Sequence, residues 1–102
     1  MCEGGCVRSV ALALVLKVNH NQDAIACSWK WNGRDAIDKL SALADYIVVM
    51  QSAFTIYVSP TFRAKLRIVD VGPDLWGSPM NIQLCTYLGN VVADWARRGW
   101  SI

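Results

Sequence analysis

Cys2, Arg8 and Ser9 open the chain in the spacing Cys-x5-Arg-Ser, with Gly4 and Gly5 inside the interval and an apolar run from Val10 to Leu16 directly after it. These residue types at this spacing suit phosphate chemistry. A glycine pair lets successive backbone N–H groups turn inward, and a nest of N–H groups at a helix start holds phosphate. Arg8 adds a planar, two-pronged grip on two phosphate oxygens. An arginine in a first helical turn opposes the helix dipole unless an anion is near, which favours an anion here. The same field favours the thiolate of Cys2, whose pKa is expected below the free value of about 8.5. A thiolate beneath a cradled phosphate attacks phosphorus in line and forms a cysteinyl-phosphate. Ser9 is placed to donate to the sulfur and help expel it in the second step.

Such a loop works only if ordered elements hold it. Arg8 to Val18 is nearly free of breakers and apolar around its circumference, the pattern of a buried helix, and His20 sits at its end, where a cation suits the dipole. Ala24–Trp29 is expected to be a strand before the turn at Asn32-Gly33. The stretch "RDAIDKLSALA" puts Ile37, Leu40 and Ala44 on one stripe of an amphipathic helix. Asp45–Met50 and Leu66–Val71 are short, β-branched and unbroken, as strands buried on both faces of a parallel sheet are. Ser52 to Val58 is expected to be a short helix stopped by Pro60. The last helix is expected to start from a Ser78 cap with Pro79 at its first position. Its expected face is Ile82, Cys85, Leu88, Val92 and Trp95, with Gly99 closing it after Arg97 and Arg98. Helices alternating with buried strands predict a single α/β domain over residues 1–102, an open and mostly parallel sheet flanked by helices. In such sheets ligands bind beyond the carboxyl ends of the strands, where the Cys2–Ser9 loop falls.

The composition excludes several classes. With 102 residues, 54% apolar and 18% charged, the chain has a folding composition and room for one core. A net charge of +2 gives no argument for bulk nucleic-acid or membrane binding. The Val10–Leu16 run is too short for a membrane span, which needs about 20 residues, and no small-x-small cleavage site follows it. The expectation is a cytoplasmic protein with reduced thiols and no cofactor. Zinc on Cys2, Cys6 and His20 lacks a second ligand pair at metal spacing, so no metal is expected. Cys27 and Cys85 read as buried structural thiols. Arg63, Lys65 and Arg67 read as an alternating solvent face, with contact to an acidic phosphoprotein as the functional alternative.

The Cys-x5-Arg-Ser arrangement is similar to the signature loop of protein tyrosine phosphatases. The order of elements resembles the low-molecular-weight members, whose loop lies near the N-terminus and whose acid lies far downstream. "LADYIVVM" looks like their third strand, and "LRIVDVGPDLWG" like their fourth strand with its Asp-containing loop. The resemblance runs roughly from Cys2 to Trp95, with a shortened middle. It implies the phosphotyrosine phosphatase I-like three-layer sandwich. It also implies Cys2 as nucleophile, Arg8 as phosphate binder and transition-state stabiliser, and Asp74 as general acid and then base. The backbone N–H groups of Glu3, Gly4, Gly5, Cys6, Val7 and Arg8 would line the cradle, with Ser9 beside it, and Trp76 would form a wall against the substrate ring. The implied substrate is a phosphotyrosine protein or a small aryl phosphate.

The sequence departs from that family in three places. A central strand precedes the nucleophile there; here only Met1 does, so the sheet is expected to lack its first central strand. Strand pairing between chains across that gap would give a homodimer. Gly5 stands where the family's loop carries an asparagine. Cys6 lies one residue earlier than the second loop cysteine of many relatives, which leaves a Cys2–Cys6 disulfide geometrically open. Two rival functions share the loop: an arsenate reductase-like enzyme, which needs further cysteines near the site, and a non-catalytic phosphate- or phosphoprotein-binding module.

Overall fold

The computed structural model describes residues 1–2, 7–28, 30, 32–73 and 75–100. Three helices and a two-stranded parallel sheet are built from them, in the order α1 (Arg8–His20), α2 (Arg34–Leu43), β1 (Ile47–Val49), β2 (Leu66–Ile68) and α3 (Ile82–Arg97). Two 3-10 segments, Ser52–Tyr57 and Pro60–Lys65, carry the chain from β1 to β2. This is a small α/β fold.

The helix α1 forms where the sequence strings alanine, leucine and valine behind Arg8, and it ends where Asn21 turns left-handed at φ 52° and returns its N–H to the Leu16 carbonyl. Only its first half is buried. Ala11, Leu12, Ala13 and Val15 enter the core, whereas Val18 is 77% exposed. Fully apolar circumference therefore overstated the burial of its second half. Helix α2 turns Ile37 inward, and Lys65 donates to the carbonyls of Ser41 and Ala42 at its carboxyl end. That bond uses the one place on a helix where a cation is welcome, and it explains one member of the basic group that read as a solvent face. Arg63 and Arg67 are also tied to carbonyls, at Val58, Ala64 and Leu66.

Helix α3 starts later than expected. Asn81, not Ser78, is its cap, and the Asn81 side chain accepts from the Leu84 N–H at 3.1 Å. Ser78 instead closes a turn, its hydroxyl accepting from the Met80 N–H. The later start rotates the buried face onto Leu84, Leu88 and Val92, each fully buried, and leaves Ile82 81% exposed. Gly99 follows the helix at φ 67°, as a glycine at this position does. Arg97 and Arg98 both pair with Asp94. Helices α1 and α3 pack on each other.

The sheet is parallel and in register Ile47↔Leu66, Val48↔Arg67, Val49↔Ile68. The expected strands at Asp45–Met50 and Leu66–Val71 are present but cut to three residues each. The expected strand at Ala24–Trp29 is not formed: Ala24–Cys27 has no regular structure, Ser28 makes a single parallel bridge to Cys2, and Trp29 lies outside the described residues. A strand needs a partner along its length, and the pairing this segment makes is the single bridge of Ser28 to Cys2. Met1 and Cys2 do form a rudimentary central strand. Cys2 N–H donates to the Cys27 carbonyl, the Met50 N–H donates to the Met1 carbonyl, and the Met1 amino group donates to the Val48 carbonyl. The expected gap is thus filled for two residues at its carboxyl end. Met1 and Cys2 belong to the core, together with Val49, Met50, Val58 and Leu88.

Candidate functional site

The two-residue central strand delivers Cys2 to the amino end of α1. Cys2 Sγ and Ser9 Oγ lie 3.0 Å apart in a buried hydrogen bond. Either atom can be the donor in this bond. The residues expected to pair chemically therefore do meet, through elements seven residues apart in the chain.

Arg8 is the first residue of α1 and is 2% exposed. One side of its guanidinium is taken by neutral acceptors: Nη1 donates to Gln51 Oε1 at 2.9 Å and to the Gly72 carbonyl at 2.8 Å. The face of the Phe54 ring lies 5.2 Å below it, a further attraction for a cation. Nε is buried with no hydrogen-bond partner. The described residues give Arg8 no ion pair, so a positive charge is held out of water by uncharged groups and one of its donors is unmet. Burial on those terms is costly. The Nε side, which together with Nη2 forms the two-pronged edge, carries no hydrogen bond to a described residue at Nε. No acidic residue occupies the first turn of α1, and its cap, Val7, contributes no side-chain bond. A helix start without acid or cap has unanswered N–H groups that suit an anion.

Asp70 and Gly72 lie on the strand end that faces this site. Asp70 is exposed, yet its carboxylate accepts from the Ser52 hydroxyl and N–H and from the Gly72 N–H. These bonds, the Ser52 hydroxyl foremost, hold its pKa below the ordinary carboxylate value. A carboxylate so held is a poor proton donor. Its role is to fix the turn at Gly72, whose φ is 71°, and so to aim the carbonyl that receives Arg8. Gln51, Phe54, Asp70 and Gly72 were not visible as site residues in the sequence. Gln51 lies 43 positions from Arg8, and no local motif marks it.

The remaining expected site residues divide. Glu3, Gly4, Gly5 and Cys6, the interior of the cradle, and Asp74, the expected acid, lie outside the described residues. Val7 is half-buried as the cap of α1. Trp76 is half-buried and packs on the core, with its carbonyl bonded to Asn81 Nδ2 and its ring Nε1 buried without a partner. It borders a hollow of about 250 Å³ shared with Asp70, Val71 and Tyr87. The Asp70 and Gly72 contacts place that hollow on the strand end where Arg8 is held. Cys27 is partly buried, and burial raises its thiol pKa; Cys85 donates to the Pro79 carbonyl. No group of three or more metal-ligating side chains occurs among the described residues, and no helix among them is long and apolar enough to cross a membrane.

Cys2 is 1% exposed. No family model matches this chain, and neither curated proteins nor solved structures provide a significant match.

Proposed function

We propose that this chain hydrolyses phosphate monoesters, aryl phosphates such as phosphotyrosine foremost, through a covalent phosphocysteine on Cys2. The observation that carries the reading is Arg8: a buried guanidinium with neutral partners on Nη1 and an unmet Nε, one residue from the serine that bonds the Cys2 sulfur. A dianion on the Nε/Nη2 edge answers both the charge and the donor. In the first step the Cys2 thiolate attacks phosphorus and the bond to the aryl oxygen breaks, with Asp74 giving its proton to the departing phenolate. In the second step water attacks phosphorus, Asp74 takes the water's proton, and the S–P bond breaks to return the thiolate and release inorganic phosphate. Ser9 steadies the sulfur as it leaves. The α/β frame, the Cys-x5-Arg-Ser loop and the hollow beside Trp76 support the finer reading as a low-molecular-weight tyrosine phosphatase-like sandwich.

The test is thermal protection by inorganic phosphate, measured beside hydrolysis of an aryl phosphate, for the parent chain and for Arg8→Lys. Protection together with turnover in the parent, both strongly reduced in Arg8→Lys, supports the proposal. Protection without turnover assigns a phosphate-binding module instead. Absence of both overturns the anion site. An arsenate reductase-like relay ranks lower, because burial raises the pKa of Cys27 and a relay needs a ready thiolate.

A further inference from the structure

The hollow of about 250 Å³ beside Trp76 is bordered by Asp70, Val71, Trp76 and Tyr87. Two of these side chains are aromatic and one is a carboxylate. Asp70 and Val71 follow β2, Trp76 comes two positions after Asp74, and Tyr87 stands on α3, 48% exposed. The hollow thus adjoins the loop that carries the proposed acid.

Asp70 is the unusual member. It is exposed, and among the described residues it makes no ion pair; its hydrogen-bond donors, Ser52 and Gly72, are neutral. The Ser52 hydroxyl foremost, then the Ser52 and Gly72 N–H groups, favour the carboxylate over the acid, and the charge of Arg8 adds to them. Asp70 is therefore negative at neutral pH and within electrostatic reach of Arg8. A negative charge there disfavours the anion that Arg8 is proposed to hold. Fixing the Gly72 turn does not require that charge, because the neutral amide oxygen of an asparagine makes the same kind of turn. The charge gains a use when the anion arrives together with a group of opposite sign, since complementary and repulsive charges select partners. Aromatic faces attract cations, and Trp76 and Tyr87 supply two at the same hollow. A neutral ring would answer the aromatic walls and leave Asp70 unpaired; a cationic side chain answers both.

We propose that this hollow receives the lysine or arginine side chain next to the phosphotyrosine of a substrate peptide, with Asp70 as its counter-ion and Trp76 and Tyr87 as its walls. This rests on the phosphatase reading and narrows its substrate class from aryl phosphates in general to phosphotyrosine flanked by basic residues. The three residues set specificity and take no part in the chemistry. The net charge of +2 opposes a basic peptide, so a preference for one is local in origin.

The probes are three peptides built on phosphonodifluoromethyl-phenylalanine, a phosphotyrosine mimic that cannot be hydrolysed, flanked on both sides by lysine, glycine or glutamate. Each is titrated calorimetrically into the full chain. The lysine peptide is expected to bind about tenfold tighter than the glutamate peptide, with glycine between, the scale of one exposed ion pair plus one cation–π contact. In Asp70→Asn the ratio is expected to fall to about twofold, and in Tyr87→Leu to fall part of the way. Ratios within one variant cancel any change that the substitution makes around Arg8. With the corresponding phosphotyrosine peptides the preference is expected in KM, with kcat nearly equal, because the contact is the same in ground and transition states. Equal binding of the three peptides, or a lysine preference that Asp70→Asn leaves intact, overturns the inference and leaves the anion site standing. Should Asp70→Asn fail to fold, an unchanged ratio in Tyr87→Leu, a substitution at an exposed helix position, overturns it instead. Failure of all three peptides to bind overturns the anion site itself, and this inference with it.

Discussion

At Arg8, the proposed anion site turns on the placement of single hydrogen bonds. Gln51 and the Gly72 carbonyl occupy Nη1, and Nε is buried without a partner. Gln51→Ala removes one of these acceptors. A hydrogen bond to a charged group is worth about 1.5–3 kcal/mol, so inhibition by inorganic phosphate is expected to weaken by about tenfold or more, and Gln51→Glu, whose carboxylate pairs with Arg8 and repels the anion, is expected to weaken it at least as much. Inhibition constants for both variants check this. Asp70 gives a pH signature. Its folded-state pKa is depressed by the Ser52 and Gly72 donors, so its contribution is present above the unfolded value, near pH 4, and is lost as pH falls through the lower folded value. The Tm difference between the parent chain and Asp70→Asn is therefore expected at neutral pH and should shrink below about pH 4. A difference that persisted unchanged in acid would contradict the bonds assigned to Asp70. The sequence showed Cys2, Arg8 and Ser9 because one loop carries them. It hid Gln51 and Asp70 because their value comes from β1 and β2 being neighbours in space.

For the elements, local signals were legible where they were local in origin. The helices α1 and α2 lie where breaker-free and amphipathic stretches put them. The cap of α3 was misplaced because Ser78-Pro79 and Asn81 are both plausible starts by composition. Only the hydrogen bond from Leu84 N–H to Asn81, with Asn81 Nδ2 tied to the Trp76 carbonyl, distinguishes them. Asn81→Ala loses both bonds. A lost cap costs about 1 kcal/mol, and in a domain of this size that lowers Tm by about 4–8 °C. Ser78→Ala is expected to have a much smaller effect, and thermal melts of the two variants separate the assignments. The strand expected at Ala24–Trp29 failed because strand formation depends on pairing in space: its described pairing is the single bridge between Ser28 and Cys2.

Across the whole molecule, one short strand connects the fold with the chemistry. Met1 and Cys2 lie in the core and pair with the Cys27–Ser28 segment on one side and β1 on the other, and Cys2 is the proposed nucleophile. The proposed activity therefore depends on the stability of this strand. The core that backs this strand rests on Leu84, Leu88 and Val92 of α3. Leu88→Ala is expected to cost about 2–5 kcal/mol, a large share of the 5–15 kcal/mol that domains possess, and denaturant titration measures it. Loss of aryl phosphate turnover should follow the unfolded fraction in that variant, whereas Cys2→Ser should abolish turnover and leave the melt close to the parent's. The alternation of helices and buried strands was enough to read an α/β class. The extent of the sheet was not legible, because it depends on how much of the central position is filled. The central claim is covalent chemistry at Cys2, and the most direct measurement is intact-protein and peptide mass spectrometry after rapid acid quenching of the chain with an aryl phosphate. The account predicts one phosphoryl group on Cys2 during turnover, absent in Cys2→Ser. Turnover with Cys2 never phosphorylated, or turnover that survives in Cys2→Ser, would contradict it.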